Sequence, residues 1–478
     1  MTPATKSNDD RYAAVPEAMD QLPFNGISVI VVGSGIGGLS AARELWRIGC
    51  KVRVLEKRLQ EITTGDRFLL GPSGVLPMRK FPRLMRENND IGVFPELRVF
   101  KYDGTLLTKF PIRELPSESA RAELPPGTAP QETSRPRIYA AMLAQLRRVD
   151  VVVEHGCEVV SYFDDKDGAR AGVELRDGTR LKADLVVAAD GLQSQSGKLV
   201  YGKEVPLLPV GTAAFRASYS PELAADNALI QETYPADKAP MMCIYLGRPE
   251  DMQLFVWRFE HEIGRGAQRK DEGHSTPSWD KYSSPSMMLE WLSTHSELPP
   301  AVAEVIRLTP PGEAIDYQIS MREPQLTWTS PSGRVIQVGD VAHVYHPSSG
   351  AGATQAMEDA ASLAECMVLS NFDVPWAARV SNLLRFERTS CIQAFGLYSE
   401  AFRGKGRDLL RYSRWIVSHD AEDYARRRFS EALAHVQNGT SFKSTNIPPG
   451  MDYRPWTIDT LLAQKEKGEP TVLDGDWS

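Results

Sequence analysis

Gly33, Gly35 and Gly38 stand in a G-x-G-x-x-G spacing, after the run Ile27-Ser28-Val29-Ile30-Val31-Val32 and before a helical pattern carrying Leu39, Ala42, Leu45 and Trp46. The chemistry of such a turn is anion binding. Gly33 permits the tight turn, Gly35 lets the backbone approach a pyrophosphate, and Gly38 lets helix and strand pack closely. The helix N-terminus adds free N–H donors and the positive end of its dipole. Glycine-rich turns are common, so the spacing alone decides little. Glu56 adds weight. It lies 18 residues beyond Gly38, at the end of a second strand, Val52-Arg53-Val54-Leu55, where a carboxylate can accept from the ribose hydroxyls of an adenosine. An acid there disfavours a 2′-phosphate, which leaves FAD or NAD. The competing reading of Glu56 is a solvated charge at a strand end.

Two further strands run into a glycine and an acid: Ala183 to Ala189 into Asp190-Gly191, and Val335 to Val338 into Gly339-Asp340. A simple dehydrogenase needs neither. After the second come Pro347-Ser348-Ser349-Gly350-Ala351-Gly352 and a helical stretch with Gln355, Met357, Glu358, Asp359 and Ala360. A carboxylate ending a strand beside a glycine-rich helix start suits a polyol joined to a pyrophosphate. Asp340 can accept ribityl hydroxyls while N–H groups near Gly352 face anionic oxygen. The same donors can stabilise negative charge on a reduced isoalloxazine. The expected cofactor is tightly bound FAD.

In these three places, over roughly residues 27 to 400, the sequence resembles the flavin-dependent aromatic hydroxylases of the para-hydroxybenzoate and salicylate hydroxylase type. Arg135, with Ile138 and Leu143, resembles that family's FAD-contacting arginine; an ordinary helix-start arginine is the alternative. Tyr201-Gly202, Gly211 with Phe215-Arg216, and Arg322 with Pro324 and Trp328 are similar too. Several fungal secondary-metabolite hydroxylases with helical C-termini share the pattern. The resemblance implies NADPH or NADH as a transient co-substrate, and O2 added to the flavin as a C4a-hydroperoxide. One oxygen atom then passes to a small aromatic substrate, phenolic or indole-like. A flavin hydroperoxide decays in water, so the site has to be dry. A phenol reacts best as its phenolate, which a fixed cation or hydrogen-bond donor favours. Arg216 and Tyr245, with Arg248 behind them, are the candidates on expected strands of the family's middle sheet, each weighed against a salt-bridged or rim role. His343 and His346 invite acid–base roles, but the resemblance makes His343 structural. Two departures, Gly197 where the family often has arginine and Thr354 where asparagine is usual, bear on the pyridine-nucleotide contact and the flavin geometry.

Positioning these groups requires two interleaved architectures. The expected fold class is mixed α/β, with a Rossmann-type FAD-binding domain at residues 27–204 and 320–370. It is interrupted by an antiparallel substrate-binding sheet at 205–319. A disordered leader (1–26) precedes these and a C-terminal helical region and tail (371–478) follows. The stretch Ile112 to Arg137 reads as a surface excursion, and His261 to Ser286 as a polar loop.

At 478 residues, with 42% hydrophobic and 24% charged, the chain can enclose a cofactor. A net charge of −7 excludes a nucleic-acid partner. Five widely spaced cysteines without a C-x-x-C pair indicate neither a disulfide framework nor a metal site. No signal peptide and no run of membrane-span length is found. A cytoplasmic monomer or homodimer without obligate membrane association is therefore expected. Disulfide reductases, amine oxidases and flavin halogenases lack support in the motifs. Another single-Rossmann FAD oxidoreductase, an epoxidase or oxidase, stays open. So does a non-catalytic flavin-binding protein, which substrate-stimulated NAD(P)H oxidation would separate from an enzyme.

Overall fold

The computed structural model describes residues 11–61, 67–114, 127–165, 167–246, 253–271, 273, 275, 283–295, 299–398, 414–467 and 474–477. In chain order its strands are β1 (Ser28–Val32), β2 (Lys51–Glu56), β3 (Arg67–Leu70), β4 (Glu96–Lys101), β5 (Leu106–Pro111), β6 (Gln131–Ser134), β7 (Val153–His155), β8 (Val159–Asp164), β9 (Ala171–Leu175), β10 (Arg180–Ala183), β11 (Leu185–Ala188), β12 (Leu208–Tyr219), β13 (Met241–Leu246), β14 (Gln253–Arg258), β15 (Ile263–Lys270), β16 (Ile315–Met321) and β17 (Val335–Gln337). The longest described helices are α1 (Ile36–Arg47), α2 (Arg135–Arg148), α3 (Gly352–Leu369), α4 (Val374–Tyr398) and α5 (Ala421–Asn438).

The β-branched runs near the N-terminus and before Asp190 and Gly339 pair as one all-parallel sheet, ordered β17-β11-β1-β2-β7. Such strands are covered on both faces, which is why they read as continuous apolar runs. On one face Val29 and Val31 pack with Leu39, Ala42 and Leu45 of α1 and with Met357 and Leu363 of α3. On the other, Ile30 and Val32 meet Tyr162, Ala171 and Val173 of a small antiparallel sheet, β10-β9-β8. The mixed α/β class follows from the sequence.

A seven-stranded sheet, ordered β16-β12-β15-β14-β13-β4-β5, is antiparallel except where β13 runs parallel to β4. Its strands do not come from residues 205–319 alone. The β4–β5 hairpin extends it from within the first segment, and β16 crosses the expected boundary. The expected polar loop from His261 contains a central strand, β15, whose two buried arginines find partners inside the fold. Arg269 reaches Asp316 (3.0 Å) and Ser275 (2.7 Å), and Gly264 makes room for the Trp257 ring, which a Cβ there would meet at 2.2 Å. The expected excursion likewise ends in a strand: β6 is buried from Gln131 to Thr133 and pairs with β3.

The leader also differs from expectation, since residues 11–26 dock on the nucleotide-binding fold. Arg11 and Tyr12 both donate to Asp90 (3.0 and 2.6 Å), Glu17 meets Arg83 (3.3 Å), and the Met19 and Leu22 amides donate to the Lys80 and Arg47 carbonyls (2.7 and 2.8 Å). Its polar composition reflects fixed partners. At the other end, α4 and α5 pack on α3, and Trp477 stacks on Phe395 at 5.3 Å. No described helix is long and apolar enough to cross a membrane.

Candidate active site

The three glycines of the first turn meet three different surroundings. Gly33 has φ +96°, and a Cβ there would lie 2.5 Å from the Ala189 carbonyl oxygen, so β1 and the end of β11 close on it. A Cβ on Gly38 would lie 1.9 Å from the Gly33 carbonyl oxygen, which fixes α1 against its own strand. Gly35, the N-cap of α1, faces open space, with nothing within 4 Å of a built Cβ. Open space in front of a helix N-terminus fits a pyrophosphate.

Glu56 ends β2 beside this turn and is 5% exposed. Its Oε2 accepts from the Ser34 amide (2.9 Å) and hydroxyl (2.8 Å), and its Oε1 from the Arg58 amide (2.9 Å). Burial alone would raise its proton affinity. The donated hydrogen bonds and the Arg58 charge outweigh it and hold the carboxyl below the usual range. Oε1 keeps lone-pair capacity for one ribose hydroxyl.

Asp190 and Gly191 follow β11 against the same turn. Asp190 Oδ1 is buried without a hydrogen-bond partner, and burial pushes its proton affinity up against the pull of nearby Ser194 and Tyr162. Gly191, at φ +75°, opens into free space. Gly197 lines a cavity of about 220 Å³ together with Ser194, Lys198, Tyr201, Arg322 and Gln337.

The second glycine–acid turn is locked from behind. The Gly339 amide donates to Asp359 Oδ2 (2.9 Å), which also pairs with His343 Nε2 (2.6 Å), while Asp359 Oδ1 accepts from Arg385 Nε (2.9 Å). His343 is 1% exposed and sits between the Trp328 and Tyr345 rings. It is placed to hold the turn. Asp340 itself is accessible, in a recess where burial raises its proton affinity and the charges of Arg135, His343 and Arg322 lower it. Arg135, at the start of α2, is therefore brought to Asp340. Ala356 of α3 would meet Cβ atoms built on both Gly37 (3.3 Å) and Gly339 (3.1 Å), so the two turns converge on one helix. Pro347, Gly350 and Gly352 complete the segment before α3, with Gly350 at φ +59° and open space in front of it. If Asp340 accepts ribityl hydroxyls, Asp340→Ala should weaken FAD binding by about 1.5–3 kcal/mol and Asp340→Asn by less. Flavin-fluorescence titration reads both, and unchanged dissociation constants would remove Asp340 from the site.

Strand alternation separates the two catalytic candidates. Tyr245 belongs to the face that packs on the outer helices: its hydroxyl bonds Tyr234 (2.7 Å), its ring stacks on Phe100 (5.1 Å), and it is 2% exposed. Arg216 lies on the opposite face. A Cβ built on Gly266, its cross-strand partner, would touch Arg216, Phe255 and Trp257, each at 3.9 Å. Thr212 and Gln268, on that same face, contact His346 (3.1 Å) and Ser348 (3.0 Å) at the start of the glycine-rich segment before α3. Arg216 thus faces the side where the second turn lies, four residues along β12 from Thr212, roughly 13 Å in extended chain. Arg248 lies outside the described residues.

Residues that sequence reading did not single out surround Arg216. Glu132 of β6, 6% exposed, feels the charges of Arg216, Arg67 and Glu262. Glu262 is held by Arg67 (2.6 Å) and the Trp257 indole (2.8 Å). Neither glutamate carried a local signal, since Glu132 lies on β6 and Glu262 in the turn before β15, and their meeting depends on how distant segments pack. Among the described residues no cluster could hold a metal ion.

Residues 26–370 match the family described as FAD binding domain, a span that includes both glycine–acid turns and every described strand. The chain belongs to that family and, within it, to the FAD-dependent monooxygenases. It is 34% identical to the FAD-dependent monooxygenase fsr3 of Gibberella fujikuroi, over 99% of this chain and 94% of that one. With mdpD of Emericella nidulans it shares 33% over 100% and 96%. Among solved structures it is similar to FqzB, with a TM-score of 0.75 at 26% identity over 90% of this chain and 99% of that one. CtdE, solved with FAD and a substrate, gives 0.76 at 25% over 86% and 100%. A salicylate hydroxylase substrate complex shares the fold, with a TM-score of 0.63 at 21% identity over 84% and 97%. The chain is an FAD-dependent monooxygenase.

Proposed function

We propose that this monooxygenase places one oxygen atom from O2 on a small aromatic substrate, phenolic or indole-like, in fungal secondary metabolism. NADH or NADPH serves as the transient reductant. The observation that carries this reading is Arg216, set on the inner face of the middle sheet beside Phe255, Trp257 and the bare backbone of Gly266. A flat ring can lie against this floor, and a guanidinium at its edge can hold an anionic oxygen. The Gly33–Gly38 turn and Glu56 would hold the adenosine and pyrophosphate of FAD, while Asp340, Arg135, Asp190 and the Pro347–Gly352 segment would hold its ribityl and ring. Bound FAD supplies the electrons and the activated oxygen. The chain itself does three things: it excludes water around the ring, orients the ring through Arg216, and stabilises the ring's negative charge. Tyr245 takes no part, because its hydroxyl is spent on Tyr234 within the outer core.

Arg216→Ala should keep FAD, since the residue lies outside both turns, yet lose oxygen transfer. Losing one oriented charged contact costs about 2–4 kcal/mol of transition-state stabilisation, a factor of tens to hundreds. Electrons would then leave as hydrogen peroxide. The assay is peroxide formed per NAD(P)H consumed, with phenols and indoles that stimulate NAD(P)H oxidation by the wild type. A variant with wild-type rate and coupling would make Arg216 structural.

A further inference from the structure

We propose that Glu132, facing Arg216 and Arg67 from β6, is the base that takes the proton from the substrate's phenolic hydroxyl. The inference rests on the aromatic, phenolic reading above and adds the proton acceptor that reading lacks. Its first support is strand geometry. Gln131 and Thr133 turn to one side of β6, where Gln131 Nε2 donates to Asn88 Oδ1 (2.9 Å) and Thr133 Oγ1 (3.2 Å). Glu132, between them, therefore turns to the other side, where the β3–β6 register sets it opposite Leu69 and on the same face as Arg67, which itself reaches Glu262 between β14 and β15.

The second support is the charge pattern. The ionic groups acting on Glu132 come from three elements: Arg67 of β3, Arg216 of β12, and Glu262 in the turn between β14 and β15. Arg67 is committed to Glu262 at 2.6 Å and lies over the Phe259 ring at 4.4 Å. Two carboxylates thus share two guanidiniums, and of the carboxylates Glu132 is the buried one, at 6% exposed. Burial pushes Glu132 up to about 7, against the pull of Arg67 and Arg216 and with the push of Glu262. A carboxylate there is ionised just above neutrality and basic enough to take a proton, where an exposed glutamate is too weak.

The step balances without a redox partner. The phenol O–H bond breaks and a Glu132 O–H bond forms. The electron pair stays on the phenolic oxygen and spreads into the ring, which Arg216 faces. The net charge of the site is unchanged, so a phenolate forms in a buried pocket without importing a counter-ion. After product leaves, Glu132 returns its proton to solvent.

The test uses FAD-loaded wild type, Glu132→Gln and Glu132→Asp, with 2-naphthol as probe about one unit above the Glu132 transition. A simple phenol is neutral there in free solution, since phenols ionise near about 10. Two quantities are read: the naphtholate difference band, and the protons released to a weakly buffered indicator. Wild type should show the band with no proton released, because Glu132 keeps it. Glu132→Gln should either lose the band or release about one proton per ionised probe, and Glu132→Asp should restore the wild-type pattern in part. Equal bands and equal proton release in wild type and Glu132→Gln would overturn the assignment. A probe that stays neutral or unbound in wild type would instead overturn the phenolic reading itself, and the proposal with it.

Discussion

Arg388→Met should lower the stability of this protein by about 3–5 kcal/mol at neutral pH, because it leaves a buried carboxylate short of its partner. Glu358 is fully buried. Its Oε2 accepts from Arg388 Nε (2.8 Å) and Arg385 Nη1 (2.5 Å), and its Oε1 from Arg388 Nη2 (3.1 Å) and Gln355 (2.8 Å). Arg388 also donates to the Ile416 and Trp415 carbonyls (2.7 and 3.2 Å) and lies over the Trp415 ring. Burial alone would raise the Glu358 proton affinity, and the two guanidiniums reverse that and hold it far below the usual carboxylate range. Stability from a depressed carboxyl is present above its unfolded pKa and is lost as pH falls through its folded one. In Arg388→Met the depression shrinks, so the deficit should hold its full size from neutral pH down to about pH 4, the unfolded carboxyl range, and should narrow only as pH falls below it. Adding Glu358→Gln should recover most of it, since replacing both partners removes the unpaired charge. Urea unfolding midpoints across pH read the effect. A loss under about 1 kcal/mol at neutral pH would mean that Arg385 and Gln355 suffice for Glu358.

That network shows where sequence reading stops. The dinucleotide turn, Glu56 and both glycine–acid turns were legible, because each depends on local spacing beside a strand. Glu358 and Asp359 could be placed on a helix, but their partners Arg385 and Arg388 lie on another, and the pairing depends on how α3 and α4 cross. Asp359 matters to the cofactor site only through the Gly339 amide and His343, contacts that no spacing announces. Strand β15 was hidden for a related reason. Its Gly264 is required by the Trp257 ring, and its Arg265 and Arg269 are buried with partners from distant segments, so a central strand has the composition of a loop. Sequence alone could put Arg216 and Tyr245 on strands of one sheet. Which face each occupied depended on register, and a one-residue difference there exchanges core for cavity.

Gly38→Ala and Gly35→Ala, three residues apart, should fail in different ways, and the contrast tests the cofactor placement itself. At Gly38 a methyl would sit 1.9 Å from the Gly33 carbonyl oxygen and 3.0 Å from its carbon. Backbone cannot yield as a side chain can. The start of α1 would have to lift from β1, pulling Leu39 and Ala42 from a core in which both are fully buried. Overpacking of this kind costs about 3 kcal/mol or more, and the displaced helix start would no longer aim its N–H groups at the turn. Gly38→Ala should therefore lower the unfolding midpoint of the flavin-free protein and abolish FAD retention together. At Gly35 the backbone is extended (φ −67°, ψ 178°) and a Cβ would meet nothing within 4 Å, so the flavin-free variant should unfold with the wild type. Its defect should appear only when FAD is added. A methyl there holds the pyrophosphate off the turn and weakens charge-assisted hydrogen bonds worth about 1.5–3 kcal/mol, some tenfold to hundredfold in affinity. Urea melts of flavin-free protein and FAD titrations separate the two variants. If Gly35→Ala bound FAD as tightly as the wild type, the pyrophosphate would have to lie elsewhere than in front of α1, and the roles given to Glu56 and Asp340 at its two ends would fall with it.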